Sequence, residues 1–314
     1  MKGYDIVNRS VRILLLSIAV MALFCASAFA TETRESLLVT PEWLKANLGK
    51  VVLIDARPRS LYTGQQGHLP GAVNAEWTYF ANMAGTAGKP GWGAVVGPET
   101  MAKRLSLLGI DGKRPVVVYG DAGDWGQSGW VVWILRMSGI KNARMLDGGF
   151  MGWRAVKGKT DHIAYKAKPA SLKIAKYEPG YNVDTKWVVE NMGRPDVAIV
   201  DVRTPPEYAG AIRPFQEKRG GHIPGAISLP MDLVFAKDYT ILPIEDLKSI
   251  IEKYGLTSAD QDIVLYDTAG VRSSFMTMIF RLAGYKNARS YDPAFHEWAG
   301  NMSLDIVQGD ERTI

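Results

Sequence analysis

Cysteine is almost absent from this sequence. Cys25 is the single cysteine among 314 residues, and it lies within residues 1–30, which have the composition of a secretory signal peptide. Once that segment is removed, the remaining chain has no thiol. We therefore expect the mature protein to have no disulfide, no cysteine-bound metal and no thiol catalysis.

The N-terminal segment has the three parts of an export signal. It begins with the basic residues Lys2, Arg9 and Arg12, continues with the apolar run ILLLSIAVMALF, and ends in ASAFA, which places Ala28 and Ala30 at the small-residue positions of a cleavage site. We predict a signal peptide over residues 1–30 and hence a periplasmic or secreted protein.

A retained membrane anchor is the alternative for this segment. The apolar residues 13–30 are almost long enough to span a bilayer. Lipidation of Cys25 is disfavoured, because bulky Phe24 precedes it where such signals have a small residue. We expect contact with a membrane only if the signal is uncleaved or lipidated.

Strong charge is also lacking. The formal net charge is +5, and it falls to +3 without residues 1–30, which carry three basic residues and one acid. No basic run is interleaved with aromatic residues, so we expect no nucleic-acid partner. No set of side chains stands at metal-ligand spacing, so neither a metal nor a cofactor is predicted.

An internal repeat organises the rest of the chain. Arg136 to Trp153 aligns without gaps with Arg281 to Trp298, 145 residues later. The segments DARPRSLY and GHLPGA also recur, as DVRTPPEY and GHIPGA. We infer a duplicated domain, with one copy over residues 33–160, a lysine-rich linker over 161–180, and a second copy over 181–314.

Each copy has the pattern of an α/β domain. The apolar runs VVLID, PVVVY, VAIVDV and DIVLY predict strands buried on both faces. Residues 98–110 and 243–256 have the apolar spacing of helices and a glycine near the end. Alternating strands and helices predict parallel sheets, whose ligands lie at the carboxyl ends of the strands.

Taken together, these motifs resemble the rhodanese family in its tandem, two-domain form. The resemblance rests on DARPRSLY and GHLPGA in the first copy, and on DVRTPPEY, GHIPGA, YDTAGVRS and Trp298 in the second, and it covers about residues 35–305. It implies two tandem rhodanese-like domains, each a small parallel sheet flanked by helices. It also implies a site loop after a central strand of the second domain.

That loop, residues 267–272, lies between the strand DIVLY and the helical run SSFMTMIFRLAG. Gly270 permits a positive φ, so the backbone amides can turn inward beside the positive end of the helix. The predicted anion-binding residues are Thr268, Ala269, Gly270, Val271, Arg272 and Ser273. The guanidinium of Arg272 suits an oxyanion, or it braces the loop on a nearby carboxylate.

In active members of the family, the first position of this loop is a cysteine that takes up sulfur as a persulfide. Here the matching residue is Asp267, which cannot form a persulfide. Asp267, with Arg272, is our candidate for the catalytic position, and we expect its charge to compete with any incoming anion. The resemblance thus implies an oxyanion- or partner-binding module that lacks thiol-based sulfur transfer.

Two other functions remain open. Asp267 could act as nucleophile or base in a phosphatase-like or other hydrolase, although aspartyl phosphate chemistry needs Mg²⁺ and further acids. The protein could also carry or sense sulfur compounds without a covalent intermediate. The corresponding loop of the first copy, residues 119–129, contains Asp121 and Asp124 but no arginine, so we expect a poorer anion site there.

Several other polar residues have simpler interpretations. We predict structural ion pairs for Asp55 with Arg57 and for Asp201 with Arg203, and hydrogen-bonding roles in turns for His68 and His222. We place His162 in the linker and His296 at the surface near Trp298, and we expect Ser273 and Ser274 to cap a helix. The aromatic residues Trp77, Tyr79, Phe80, Trp92 and Trp125 form either a pocket wall or, as we prefer, packing between the domains.

Overall fold

Two five-stranded sheets with the same strand order form the framework of the computed structural model, which describes residues 32–121 and 123–309. The predicted signal peptide, with Cys25, lies outside the described residues. Every strand pair within each sheet is parallel. The predicted α/β class, with a small parallel sheet in each copy, is therefore confirmed.

The first sheet has the order β1-β5-β4-β2-β3. Its strands are β1 (Leu38–Val39), β2 (Val52–Asp55), β3 (Val73–Asn74), β4 (Val116–Tyr119) and β5 (Ala143–Leu146). Helices α1 (Arg34–Leu37), α2 (Pro41–Asn47), α3 (Arg59–Tyr62), α4 (Pro98–Leu107), α5 (Gln127–Met137) and α6 (Gly149–Ala155) belong to the same copy. The side chains of β2 and β4 are buried throughout, as expected for central strands of a parallel sheet covered on both faces.

The second sheet repeats this arrangement in the order β6-β10-β9-β7-β8. Its strands are β6 (Asn182–Val183), β7 (Val197–Asp201), β8 (Ile227–Ser228), β9 (Asp262–Tyr266) and β10 (Ala288–Tyr291). Its helices are α7 (Thr185–Asn191), α8 (Pro205–Tyr208), α9 (Ile244–Lys253), α10 (Val271–Leu282) and α11 (Ala294–Gly300).

The helix bounds differ from the predicted ones for local reasons. Helix α4 ends at Leu107 and α9 at Lys253, because each is followed within two residues by a glycine with a positive φ, Gly109 and Gly255. Helix α10 begins at Val271, two residues before the predicted start. Arg272 and Ser273 thus lie on the first helical turn, which directs their amides toward the end of β9.

Residues 161–180 form no regular helix or strand. They run along the first copy, where Asp161 and His68 exchange two backbone hydrogen bonds of 2.8 Å and the amide of Tyr165 donates to the hydroxyl of Tyr62. Among the described residues, no helix has the length and apolarity needed to cross a bilayer.

The two copies share one hydrophobic cluster and belong to one compact unit that starts at Glu32. Helices α5 and α10 pack against each other where Gly129 faces Phe275. A Cβ atom at position 129 would lie 2.3 Å from Cδ2 of Phe275. The absence of a side chain at Gly129 therefore sets how closely the two helices approach.

Candidate functional site

The candidate site is the connection from β9 to α10. Gly270 is the residue before the first turn of α10 and has a φ of +84°. A Cβ at this position would lie 2.8 Å from the carbonyl oxygen of Asp292. Both the backbone conformation and the close approach require glycine here, so the turn predicted from the sequence is present.

The carboxylate of Asp267 occupies the space toward which the loop amides point. Its Oδ2 accepts from the amides of Ala269 (3.4 Å) and Arg272 (3.3 Å), and its Oδ1 accepts from the amide of Ser273 (3.3 Å). Each of these hydrogen bonds is long, but three of them converge on one carboxylate, and Asp267 is only 2% exposed. The Asp267 side chain thus provides hydrogen-bond acceptors for the N-terminal amides of α10. Gly270, the residue at the capping position, cannot do so because it has no side chain.

The predicted anion-binding residues have separate roles in the structure. The amides of Ala269, Arg272 and Ser273 face the carboxylate of Asp267. Thr268 instead uses its hydroxyl, which donates to Oε1 of Glu217 at 2.8 Å.

Arg272 is engaged by carboxylates. Its two terminal nitrogens donate to the two oxygens of Glu207, each at 2.8 Å, and its Nε lies 3.5 Å from Oδ2 of Asp267. Of the two roles predicted for this guanidinium, the structure has the bracing one. Burial alone would lower the pKa of Arg272, but the hydrogen bonds to Glu207 and the charge of Asp267 raise it.

Glu207 remains charged in this environment. Burial alone would raise its pKa, but the hydrogen bonds and charge of Arg272, together with hydrogen bonds from Thr204, lower it to about 2. The Glu207–Arg272 pair is therefore ionised on both sides at neutral pH. The side chain of Trp125 is 58% exposed, and its ring lies 5.5 Å from the guanidinium carbon of Arg272.

Glu217 extends this network and was not identified from the sequence. Its Oε1 accepts from Thr268 and from Arg203 (3.0 Å), while Arg203 also pairs with Asp201 at 2.6 Å. Burial is the main cause that raises the pKa of Glu217 to about 7. One feature of the sequence pointed to this region: the segment between Tyr208 and Gly221, which contains Glu217, is longer than its counterpart in the first copy.

A segment of the first copy covers the site. The amide of Gly88 donates to Nδ1 of His296 (3.3 Å), and the amide of Val95 donates to Oδ2 of Asp292 (3.0 Å). The ring of Trp92 meets that of His296 edge-on, with centroids 5.2 Å apart. The prediction that His296 lies at the surface is wrong, because it is fully buried beneath this segment.

Burial also perturbs the titration of the covered groups. It lowers the pKa of His296 to about 4, although the nearby charge of Asp267 acts in the opposite direction. It raises the pKa of Asp292 to about 7.

The corresponding loop of the first copy is also filled by its own carboxylate. Asp124 accepts from the amide of Gly126 (2.8 Å) and from the amide of Asp121 (3.1 Å). Gly126 precedes α5 with a φ of +76°, as Gly270 precedes α10. Burial raises the pKa of Asp124 to about 6. Both copies thus place a carboxylate among the loop amides, but from different positions in the loop.

The predicted ion pairs and turn histidines are present. Asp55 contacts Arg57 at 2.7 Å, and Asp201 pairs with Arg203. The Nδ1 atoms of His68 and His222 lie 2.8 Å and 3.0 Å from the carbonyl oxygens of Tyr62 and Tyr208. Each histidine ring also stacks on the ring of the same tyrosine. These predictions are confirmed.

The predictions for the serines were wrong. The hydroxyl of Ser273 contacts that of Ser290 at 2.9 Å, and the hydroxyl of Ser274 donates to the carbonyl of Gly270 at 2.7 Å. Neither serine caps α10, because Gly270 holds the capping position. The described residues contain no group of three or more His, Cys, Asp or Glu side chains that could hold a metal ion.

The aromatic residues of the first copy are divided between two locations. Phe80 and Trp92 are buried, and Trp77 packs edge-on against Trp92. Trp125 is exposed at the edge of the site. The five residues therefore do not form one pocket wall, and packing between the copies accounts for Trp92.

Comparison with known proteins identifies the relatives of this chain. Residues 40–156 and 184–301 each match the Rhodanese-like domain family. A protein of Thermus thermophilus described as the sulfur carrier protein TtuD is 28% identical over 301 residues, covering 88% of this chain and 98% of the relative. A thiosulfate sulfurtransferase of Corynebacterium glutamicum is 28% identical over 302 residues, covering 90% and 94%.

Among solved structures, the fold is similar to that of the anaerobic ergothioneine biosynthesis enzyme from Chlorobium limicola in complex with trimethyl histidine. The TM-score is 0.78 at 22% identity, and the match covers 88% of this chain and 71% of the other. At this identity the similarity concerns the fold alone.

Proposed function

The chain belongs to the rhodanese family, and we propose that it is an exported member that lacks thiol-based sulfur transfer and acts as a binding module for a partner protein. The observation that carries this proposal is the position of Asp267. Its carboxylate lies among the loop amides where, by the resemblance to active family members, a cysteine would stand.

The same geometry argues against a small oxyanion as the ligand. An anion at the β9–α10 connection would meet the negative charge of Asp267, which is already surrounded by the loop amides. Arg272 is held by Glu207 in a two-point ion pair, so its charge is largely balanced. Of the two ligand classes predicted from the sequence, a protein partner is therefore the better supported.

Sulfurtransferase assays test the loss of chemistry. We expect the purified wild-type protein to give no product from thiosulfate with cyanide or from mercaptopyruvate with a thiol. In the variant Asp267→Cys, the thiolate should attack the outer sulfur of thiosulfate, so that the S–S bond of thiosulfate breaks, sulfite leaves and a cysteine persulfide forms. The thiolate is favoured because it would face the same amides and the positive end of α10, which lower a thiol pKa.

Asp267→Ser is the matched control, since it keeps a small polar side chain but has no thiol. We expect Asp267→Cys to turn over at least about tenfold faster than this control. Mass spectrometry should detect one added sulfur atom on the cysteine variant alone. Clear turnover by the wild-type protein would contradict the proposal.

The hydrolase alternative has less support. Asp267 is 2% exposed and its oxygens accept from three backbone amides, whereas a nucleophile must reach its substrate. Phosphatase and sulfatase substrates, assayed with and without Mg²⁺, would support this alternative only if the wild-type protein were active and Asp267→Asn were not.

Export is a separate part of the proposal. It is supported by the basic, apolar and small-residue parts of residues 1–30. The protein recovered from the periplasmic fraction should have Thr31 as its first residue. An intact N-terminus in the membrane fraction would favour the retained anchor instead.

A further inference from the structure

One segment of the second copy is eight residues longer than its counterpart in the first. Twelve residues, 209–220, separate Tyr208 from Gly221, whereas four residues separate Tyr62 from Gly67 in the first copy. We call residues 209–220 the insertion loop. It follows α8, the helix that contains Glu207, and so begins beside the candidate site.

The insertion loop exposes apolar side chains. Phe215 is 85% exposed and Ile212 is 55% exposed. A single exposed apolar residue is ordinary, but two on one short loop, one of them aromatic, favour an interaction surface. Aromatic residues also carry a large share of binding energy at protein interfaces.

The backbone beneath these side chains is held firmly. Glu217 is fully buried, and it joins the loop to Thr268 and Arg203. Arg219 donates hydrogen bonds to four carbonyls at the end of α11 and beyond it, those of Trp298, Ala299, Asn301 and Leu304. An aromatic side chain on a preorganised loop loses little conformational entropy on binding.

The loop also presents positive charge in a concave groove. The groove is open to solvent, has a volume of about 600 Å³, and is lined by Gly210, Arg213, Lys218, Arg219, Gly220, Ile306 and Gln308. Three of these residues are basic and none is acidic. Arg219 is engaged by four carbonyls, whereas Arg213 donates to one, that of Glu217. Arg213 and Lys218 are both exposed, so they are the charges that a ligand would meet.

We propose that the insertion loop is the docking surface for an acidic segment of a partner protein. The partner would place an apolar side chain against Phe215 and Ile212, and its carboxylates in the groove with Arg213 and Lys218. A protein segment fits better than a lipid surface, since the basic residues line a concave groove that a flat bilayer does not enter. This inference rests on the proposed function and names the surface that would perform it.

The experiment selects binding peptides from a phage-displayed library of random sequences, using the mature wild-type protein as bait. We expect enrichment of peptides that combine Asp or Glu with an aromatic or aliphatic residue. Fluorescence anisotropy of the enriched peptides should give dissociation constants that rise about tenfold for Phe215→Ser. They should also rise for Lys218→Glu and with added salt.

Ile163→Ser is the matched control, because Ile163 is 79% exposed in a different part of the surface, and it should leave binding unchanged. Unfolding curves of all three variants should match the wild type, since none of these side chains is buried. Enriched peptides that bind wild type and Phe215→Ser equally would overturn the assignment of the surface, while the proposed binding function would stand.

Two further results would also overturn the assignment of the insertion loop as the docking surface. One is the absence of any enriched peptide. The other is Phe215-dependent sedimentation with vesicles of phosphatidylglycerol and phosphatidylcholine, which would assign the loop to a membrane. Turnover by wild type in the sulfurtransferase assay would instead contradict the proposed function, so the two failures are distinguishable.

Discussion

At the residue scale, a carboxylate lies among the loop amides beside the start of each of the two long central helices. Asp267 accepts from the amides of Arg272 and Ser273 at the start of α10. Asp124 accepts from the amide of Gly126 at the start of α5. A carboxylate favours a helix N-terminus because the unpaired amides and the helix dipole both stabilise negative charge. Each carboxylate therefore has a structural role that needs no substrate.

Replacement of the carboxylate in the second copy should measure that role. We expect Asp267→Asn to lower the free energy of unfolding by about 1–2 kcal/mol, because the amide has no charge and brings an NH₂ group toward backbone donors. Urea unfolding checks this, with Asp260→Asn, at an exposed position, as the control. Equal stability of Asp267→Asn and wild type would show that the loop amides do not need the charge.

At the element scale, the contact between α5 and α10 joins the two copies. Gly126 and Gly129 lie against Phe275, and a Cβ at either position would be within 3 Å of that side chain. Both helices begin beside a site loop, so their separation also sets the distance between the two loops. Glycine is unfavourable inside a helix, and its presence at position 129 is explained by this close approach.

Gly129→Ala should therefore destabilise the protein. Alanine favours the helix by about 1 kcal/mol, but the contact of 2.3 Å with Phe275 should reverse the sign and give a net loss of about 1–3 kcal/mol. Gly193→Ala is the control, because nothing lies within 4 Å of a Cβ placed there. In a Phe275→Ala background the penalty of Gly129→Ala should shrink, and an unchanged penalty would exclude the helix contact as its cause.

At the scale of the whole molecule, folding buries two carboxyl groups of the site that titrate near neutrality. The pKa of Asp292 is raised to about 7, chiefly by burial, and so is that of Glu217. In both cases the folded state retains a proton that the unfolded state has already released. The stability contributed by these protons is complete below the unfolded pKa values and is lost as pH rises through about 7.

We therefore predict that the free energy of unfolding falls by about 1 kcal/mol for each of these two groups between about pH 6.5 and about pH 8. His296, with its folded pKa lowered to about 4, acts in the opposite direction mainly below about pH 6.5, where more than half of the unfolded chains carry a protonated histidine.

Urea unfolding across this pH range checks the prediction. Asp292→Asn and Glu217→Gln should each flatten the profile, and exposed Asp232→Asn should not. Identical slopes in all four proteins would contradict it.

The sequence by itself determined the duplication, the α/β class, the glycine turn before α10 and the absence of a thiol from the chain after residue 30. These properties depend on composition or on residues close together in the chain. Only the tertiary structure decided that Arg272 is paired with Glu207, 65 residues away, and that His296 is buried beneath Gly88, 208 residues away. It also decided that the insertion loop is anchored through Glu217. These residues come into contact only when parallel strands and packed helices bring distant segments to one edge of the sheet. A local sequence pattern does not predict such contacts.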